Sequence, residues 1–295
     1  MIKNTDLAYA AGYIDGDGCF YIGKSLRKFI SHLIVISTDK EILLWFKKLF
    51  RGNISSAKIV NATHKPVYHF NQKKKDGTIF TKNIIHYLVE KQEEAKLFIA
   101  FSESTDVQER MSFIEKMKSI KHFTNLVSKD HKSEFEAIRS AIIPTKEDFA
   151  YLAGFIDAEC SLGIIKDKAK NKPNHTYKIM LQCNNTKHPI FKWLLQRFGG
   201  TINFIDRKIH NSDHRNQLHW RISSAALANI LTEIHPFLKY KKPVCEELIK
   251  FTKTVLPNGG ARHTEKFRSH YSKILEEREC IVHKVHLLNL KGINI

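Results

Sequence analysis

The sequence predicts an α+β protein made of two pseudo-symmetric units. Each has the order α-β-β-α-β-β-α, and their antiparallel sheets sit side by side as a saddle. Three observations lead there. A twelve-residue segment recurs once, 142 positions later. Runs of period two alternate with runs of helical period in the same order after each copy. Lys plus Arg total 48 against 30 Asp plus Glu, a net charge of +18 that marks a partner of opposite sign.

The repeat is the strongest of these. Residues 6–17 read DLAYAAGYIDGD and residues 148–159 read DFAYLAGFIDAE, identical at seven of twelve positions. Thr38–Trp45 then aligns with Thr186–Trp193, and Gly52 with Gly200, at an offset of 148. His69 aligns with His219, and Lys91 with Lys241, at an offset of 150. The offset drifts only between blocks, where hairpin insertions are cheap. Chance would not keep four blocks in order. The expected division is 1–118 for the first unit, 119–146 for a charged linker, 147–256 for the second unit and 257–295 for a helical extension packed on it.

Element by element, each unit opens with a helix, near 5–15 and 147–157, with Thr5 and Thr145 as N-caps and Pro144 marking the second start. Alternating runs follow, such as Phe20–Leu26 and Leu218–Ile222. Helical spacing returns at 40–50 and 188–198, and again at 92–118 and 243–255. The run His32–Ile36 is apolar on both faces, so its register stays open.

The opening helices carry both packing and chemistry. Ala8, Ala11 and Gly12 lie on one face, and Ala150, Ala153 and Gly154 repeat the pattern. Small residues at this spacing let two helix backbones approach closely. Each helix ends in acids, Asp15 and Asp17 on one, Asp157 and Glu159 on the other. Packed about a pseudo-two-fold axis, Asp17 and Glu159 become neighbours. Two carboxylates at adjoining helix C-termini repel each other and the helix dipoles, unless a divalent cation lies between them. Asp15 and Asp157 are equally suited to bonding backbone groups where each helix ends.

The segments Ala10–Gly18 and Leu152–Cys160 resemble the two motifs of the LAGLIDADG homing endonucleases, and the likeness extends over residues 5–120 and 147–255. It departs at Cys160, where the family has glycine. The resemblance implies a single-chain, monomeric enzyme that cuts a long, non-palindromic duplex DNA and leaves short 3′ overhangs. It implies Asp17 and Glu159 as metal ligands, helped by the carbonyls of Gly16 and Ala158. The metal would be two or three Mg²⁺ ions, with Mn²⁺ or Ca²⁺ able to stand in for binding. Lys91 and Lys241 match a lysine close to the scissile phosphate, and Asp39 and Lys187 a water-ordering position. The same scaffold leaves two alternatives, an intron maturase acting on its own intron RNA and a non-cleaving DNA-binding regulator.

A β-ribbon fits the major groove, and alternation assigns the side chains that face it. Leu218, Trp220 and Ile222 turn inward, which leaves Gln217, His219 and Arg221 for DNA. Tyr68 and Phe70 turn inward, which leaves His69 and Asn71. Tyr21, Ser25 and Arg27 form the outward set of the first strand, and Ser56, Lys58 and Arg207 extend it. Lys73, Lys74 and Lys239 stand in basic clusters suited to phosphates.

Other classes fit poorly. The five cysteines are odd in number and form no C-x-x-C pair, so a reducing intracellular compartment is expected. Cys280, His283 and His286 lack a fourth partner at zinc spacing. No secretory signal opens the sequence, and no uncharged apolar run approaches the roughly 18 residues of a membrane helix.

Overall fold

A computed structural model of the chain describes residues 2–26, 28–57, 66–123, 134–138, 141–167, 176–186, 188–207, 216–254 and 265–291. The first unit comprises α1 (Asn4–Asp17), β1 (Gly18–Ser25), β2 (Lys28–Ser37), α2 (Lys40–Phe50), β3 (Asn53–Ser56), β4 (Tyr68–Lys73), α3 (Lys74–Ile84), α4 (Gln92–Glu103) and α5 (Val107–Phe123). The second comprises α6 (Lys146–Glu159), β5 (Cys160–Asp167), β6 (Thr176–Asn185), α7 (Pro189–Phe198), β7 (Thr201–Ile205), β8 (Gln217–Arg221), α8 (Ser224–Ile234), α9 (Lys242–Lys253) and α10 (Glu265–Lys291). Both sheets are four-stranded and antiparallel, in the order β1-β2-β4-β3 and β5-β6-β8-β7. The expected αββαββ order therefore holds in both units, with three helices after the last strand rather than one.

Local chemistry explains most boundaries. Thr145 caps α6 with a reciprocal capping box to Asp148. The first unit differs from expectation here. Helix α1 starts one residue before Thr5 and is preceded by Lys3, with no side-chain cap. The expected 92–118 helix is two helices. Ser104 ends α4, and Asp106 accepts from the Glu109 amide at 2.7 Å to start α5. Asp39, considered for ordering water, caps α2 by accepting from the Glu41 amide at 2.7 Å.

The core of each unit lies between the inner face of its sheet and its helices. Phe20, Leu33, Val35 and Phe70 fill it in the first unit, and Leu162, Leu181, Leu218 and Trp220 in the second. This resolves the ambiguous run 32–36. Leu33 and Val35 turn inward, while His32, Ile34 and Ile36 form the outer row.

Helix α10 occupies in the second unit the place of α5 in the first. Strands β1 and β5 are sheet edges, where carbonyls lack partners. Lys121 of α5 donates to the Phe20 carbonyl at 2.7 Å, and Asn289 of α10 donates to the Leu162 carbonyl at 3.1 Å. Phe20 and Leu162 are equivalent, each two residues past its strand's start. One turn of helix at 134–136 anchors the connecting segment, with Phe135 buried 6.4 Å from the Phe191 ring.

Cys160 and Cys183 stand directly opposite each other in the β5–β6 ladder and form a disulfide. Cys19, Cys245 and Cys280 remain free. The pair lies 23 residues apart on different strands, so no local spacing announces it. Cys160 also leaves the turn after Glu159 intact. Its φ of −96° nearly equals the −92° of Gly18.

Candidate metal centre and nucleic-acid interface

Helices α1 and α6 pack backbone to backbone. A Cβ on Gly12 would lie 2.0 Å from the Tyr151 carbonyl oxygen, and one on Gly154 would lie 2.0 Å from that of Tyr9. Only glycine permits that approach. Ala8, Ala11, Ala150 and Ala153 are fully buried around it. Gly12 and Gly154, expected at the interface, thus lie at the helix crossing.

The inner acids serve structure. Asp15 is buried, and its carboxylate accepts from the amides of Val89, Glu90 and Lys91 at 2.7, 3.1 and 2.9 Å. Asp157 accepts from the amides of Lys239, Tyr240 and Lys241 at 2.8, 3.1 and 2.7 Å. Each holds the turn that leads into α4 or α9. Each also takes a hydroxyl from the other unit, Tyr151 to Asp15 at 2.5 Å and Tyr9 to Asp157 at 2.8 Å. Burial pushes both tyrosines well above their ordinary range, and the neighbouring aspartates push them further, so both remain donors.

The outer acids face each other. A Cβ on Gly16 would lie 2.4 Å from that of Ala158 and 2.9 Å from Glu159 Cγ, so the two helix ends adjoin. The Asp17 carboxyl is pushed up to about 6, first by burial and then by Glu159, against the pull of Lys91 and Lys241. Such a pair fits a divalent cation, because positive charge between the carboxylates offsets their repulsion and the burial of Asp17. Among the described residues there is no cluster of three or more His, Cys, Asp or Glu groups able to hold a metal. The side-chain ligands these residues offer such an ion are the two carboxylates.

Lys91 and Lys241 lie beneath these acids. Lys91 Nζ lies within hydrogen-bond distance of the carbonyls of Ile14, Asp15, Gly16 and Gly18, at 2.8, 2.8, 3.0 and 2.8 Å, and shares its three protons among them. Lys241 Nζ donates to those of Ile156 and Asp157 at 2.6 and 2.8 Å. Both lysines cap the C-terminus of a motif helix and offset its negative end. The Gly16 carbonyl, expected to help a metal, already accepts from Lys91.

Solved structures share this architecture. I-AabMI, a LAGLIDADG meganuclease bound to uncleaved DNA, superposes with a TM-score of 0.64 at 17% identity over 94% of this chain and 98% of that one. The I-SmaMI LAGLIDADG homing endonuclease bound to cleaved DNA gives 0.63 at 18% identity over 95% and 96%. I-SmaMI bound to an uncleaved target with calcium ions gives 0.63 at 18% identity over 96% and 98%. The chain has the LAGLIDADG homing endonuclease fold. No family model and no curated protein matches its sequence.

In this LAGLIDADG fold the outer sheet faces carry most of the residues expected to meet nucleic acid. Tyr21 and Ser25 are exposed on the outer row of β1, and Tyr21 pairs with His32. His69, Asn71 and the exposed Lys73 alternate with inward Phe70 and Gln72. Gln217, His219 and Arg221 alternate with buried Leu218 and Trp220, and exposed Arg207 follows β7. Arg27 and Lys58 lie outside the described residues, as does the side chain of Lys74, which opens α3.

Two placements differ from expectation. Ser56 pairs with Tyr68 and so shares the inward row, while Asn53 and Ser55 share the outer row with Asn71 and His69. Strand β3 was too short for alternation to fix its phase. The ammonium of Lys239 lies 4.5 and 4.3 Å from the ring centroids of Tyr9 and Trp45. It makes a cation–π contact between the units, where an exposed charge was expected. Sequence reasoning also missed Gln182, Asn184 and Asn203. Gln182 and Asn184 bond to each other at 3.0 Å, Arg221 donates to Gln182 at 3.0 Å, and Asn203 pairs with His219. Tyr9 and Tyr151 were missed as well, although both copies of the repeat keep tyrosine at that position.

Proposed function

We propose that the chain is a site-specific DNA endonuclease that makes a metal-dependent double-strand break in a long, non-palindromic target and leaves short 3′ overhangs. The observation that carries this is the facing pair Asp17 and Glu159, with Asp17 pushed up to about 6 by burial and by its partner. Mg²⁺ suits two carboxylate oxygens and keeps the remaining positions for water and phosphate oxygens. When bound, it supplies an activated water and charge stabilisation for phosphodiester hydrolysis.

The chain's own residues do the rest. Asp17 and Glu159 hold the cation and, once ionised, repel DNA phosphates unless it is present. Lys91 and Lys241 keep positive charge beneath the scissile region while fixing the ends of α1 and α6. The net charge of +18 draws the polyanion in, with an affinity that falls as salt rises. The outer rows differ between units, with Tyr21 and Asn71 of the first replaced by Gly163 and Arg221 in the second while His69 and His219 are alike, so the half-sites read different sequences.

The test is incubation with Mg²⁺ and DNA spanning the uninterrupted form of the host locus, with the ends mapped by sequencing. A discrete double-strand cut is expected, absent with EDTA and in an Asp17→Asn, Glu159→Gln double variant. Tight, salt-sensitive binding of DNA or intron RNA without a cut in any divalent metal overturns the reading.

A further inference from the structure

The two units carry a cavity at equivalent places, and only one of the two satisfies the hydrogen-bond donors of its arginine. In the second unit a cavity of about 240 Å³ is lined by Tyr177, Phe251 and Arg278. The Arg278 guanidinium lies 4.9 Å from the Phe251 ring centroid, and its Nε donates to the Thr254 carbonyl and hydroxyl at 3.2 and 3.0 Å. In the first unit a cavity of about 490 Å³ is lined by Phe29, Phe101 and Arg110. The two correspond, because Phe29 pairs with Lys24 in the ladder as Tyr177 pairs with Lys166.

The first copy lacks the arginine's acceptors. Arg110 lies 5.3 and 5.6 Å from the Phe29 and Phe101 centroids, and its Nε is buried with no hydrogen-bond partner among the described residues. Ser104, at the place of Thr254, is instead turned to Glu109 at 2.6 Å. Lys75 and Lys82 also line this cavity, with Glu103 as its single acid, so the lining carries three cations against one anion. Lys82 pairs with Glu103, and among the described residues no acid pairs with Arg110 or Lys75. The hydroxyls of Ser31 and Ser102 stand 3.1 Å apart in the same lining. A buried guanidinium nitrogen without an acceptor costs free energy that an anion would recover.

We infer that this cavity binds a small phosphate monoester of about nucleotide size. A dianion meets the charge of Arg110 and Lys75, and the hydroxyls supply neutral donors. Phe29 and Phe101 exclude water and strengthen those contacts. The volume of about 490 Å³ falls within the usual range for ligand sites, and the 240 Å³ of its counterpart does not. Ser31 belongs to the inward row of β2 and His32 to the outer row, so the cavity opens on the helical side of the sheet, away from the face assigned to DNA. The inference does not depend on the proposed nuclease activity.

The experiment titrates the full chain with inorganic phosphate and with adenosine monophosphate by calorimetry, at about 150 mM salt to screen surface charge. One saturable site is expected for each ligand, with a duplex DNA competitor failing to displace them. Arg110→Gln should weaken binding by about tenfold or more, and Arg110→Lys by less, since lysine keeps the charge but loses the fork. Lys75→Ala, at an exposed position, should weaken binding with an unchanged unfolding midpoint, and serves if Arg110→Gln does not fold. No saturable site overturns the inference. So does binding that survives Lys75→Ala and Arg110→Gln, or that duplex DNA displaces.

Discussion

The hydroxyl of Tyr151 donates to Oδ2 of Asp15 at 2.5 Å, so a side chain of the second unit completes the buried carboxylate of the first. Tyr9 does the same for Asp157 at 2.8 Å. Each aspartate holds the turn that carries Lys91 or Lys241, and each lysine caps the helix that ends in Asp17 or Glu159. The two acids are thereby placed by bonds that cross the pseudo-two-fold axis.

Tyr151→Phe should therefore destabilise the protein by about 1–3 kcal/mol, the cost of leaving a buried charged acceptor one donor short. Tyr9→Phe should cost a similar amount. The double variant should cost less than the sum if both act on one helix interface. Urea unfolding measures all three. A Tyr151→Phe protein as stable as the wild type would mean that water replaces the hydroxyl and the crossing bond adds nothing.

Asp17 gives a pH dependence with a definite sign. The fold raises its carboxyl from the ordinary 3.8 to about 6, so the folded state favours the protonated form. Its contribution to stability is full below about pH 4 and is lost as pH rises through 6. At pH 8 without metal the ionised group should cost about 1–3 kcal/mol, after allowance for its partial exposure. Asp17→Asn should then raise the unfolding midpoint in EDTA at pH 8, with the gain shrinking toward pH 4. Mg²⁺ at pH 8 should stabilise the wild type and not the variant. A variant less stable than wild type in EDTA at pH 8 would falsify the account of these carboxylates.

Much of this was legible because the chain is written twice. Period and offset locate α1 and α6, the glycines at their crossing and the acids at their ends, since each signal is local and repeated. The alternation 218–222 gives the outer row because Leu218 and Trp220 are large and apolar. Legibility fails where a partner comes from elsewhere in the chain. Nothing near Asp15 names Tyr151, and nothing near Cys160 names Cys183. Lys239 reads as a surface charge until the packing of the units sets Tyr9 and Trp45 beneath it. Strand β3, at four residues, has too few turns of alternation to fix whether Ser55 or Ser56 faces out.

Comparison of the units also exposes a strained residue. Arg51 takes φ 59°, ψ 173°, and its counterpart in the second unit is Gly199 at φ 65°. Side chains rarely adopt this region, and the strain costs of order 1–3 kcal/mol. Arg51→Gly should recover about 1 kcal/mol, part of the relief being offset by the greater freedom of glycine in the unfolded chain. The carbonyl at this turn accepts from Gln72 at 3.1 Å and would be undisturbed. Denaturant midpoints decide it, and a less stable glycine variant would mean that the arginine side chain holds the turn.

The disulfide joins the first residue of β5 to β6, where the first unit has the pair Gly18 and Val35 in the same register. Closing a segment of 23 residues restricts the unfolded chain by about 3 kcal/mol. Reductant should therefore lower the unfolding midpoint of oxidised protein. A Cys160→Gly, Cys183→Val variant, which copies the first unit, should be insensitive to reductant and close in stability to the reduced wild type. Glu159 directly precedes Cys160, so the bond also steadies the backbone that carries one of the two facing acids. Mg²⁺ stabilisation, measured as the midpoint shift on adding the ion, should accordingly shrink on reduction. An equal shift in oxidised and reduced protein would leave the disulfide as a staple of the second sheet alone, with the acid pair held by Asp157, Tyr9 and Lys241.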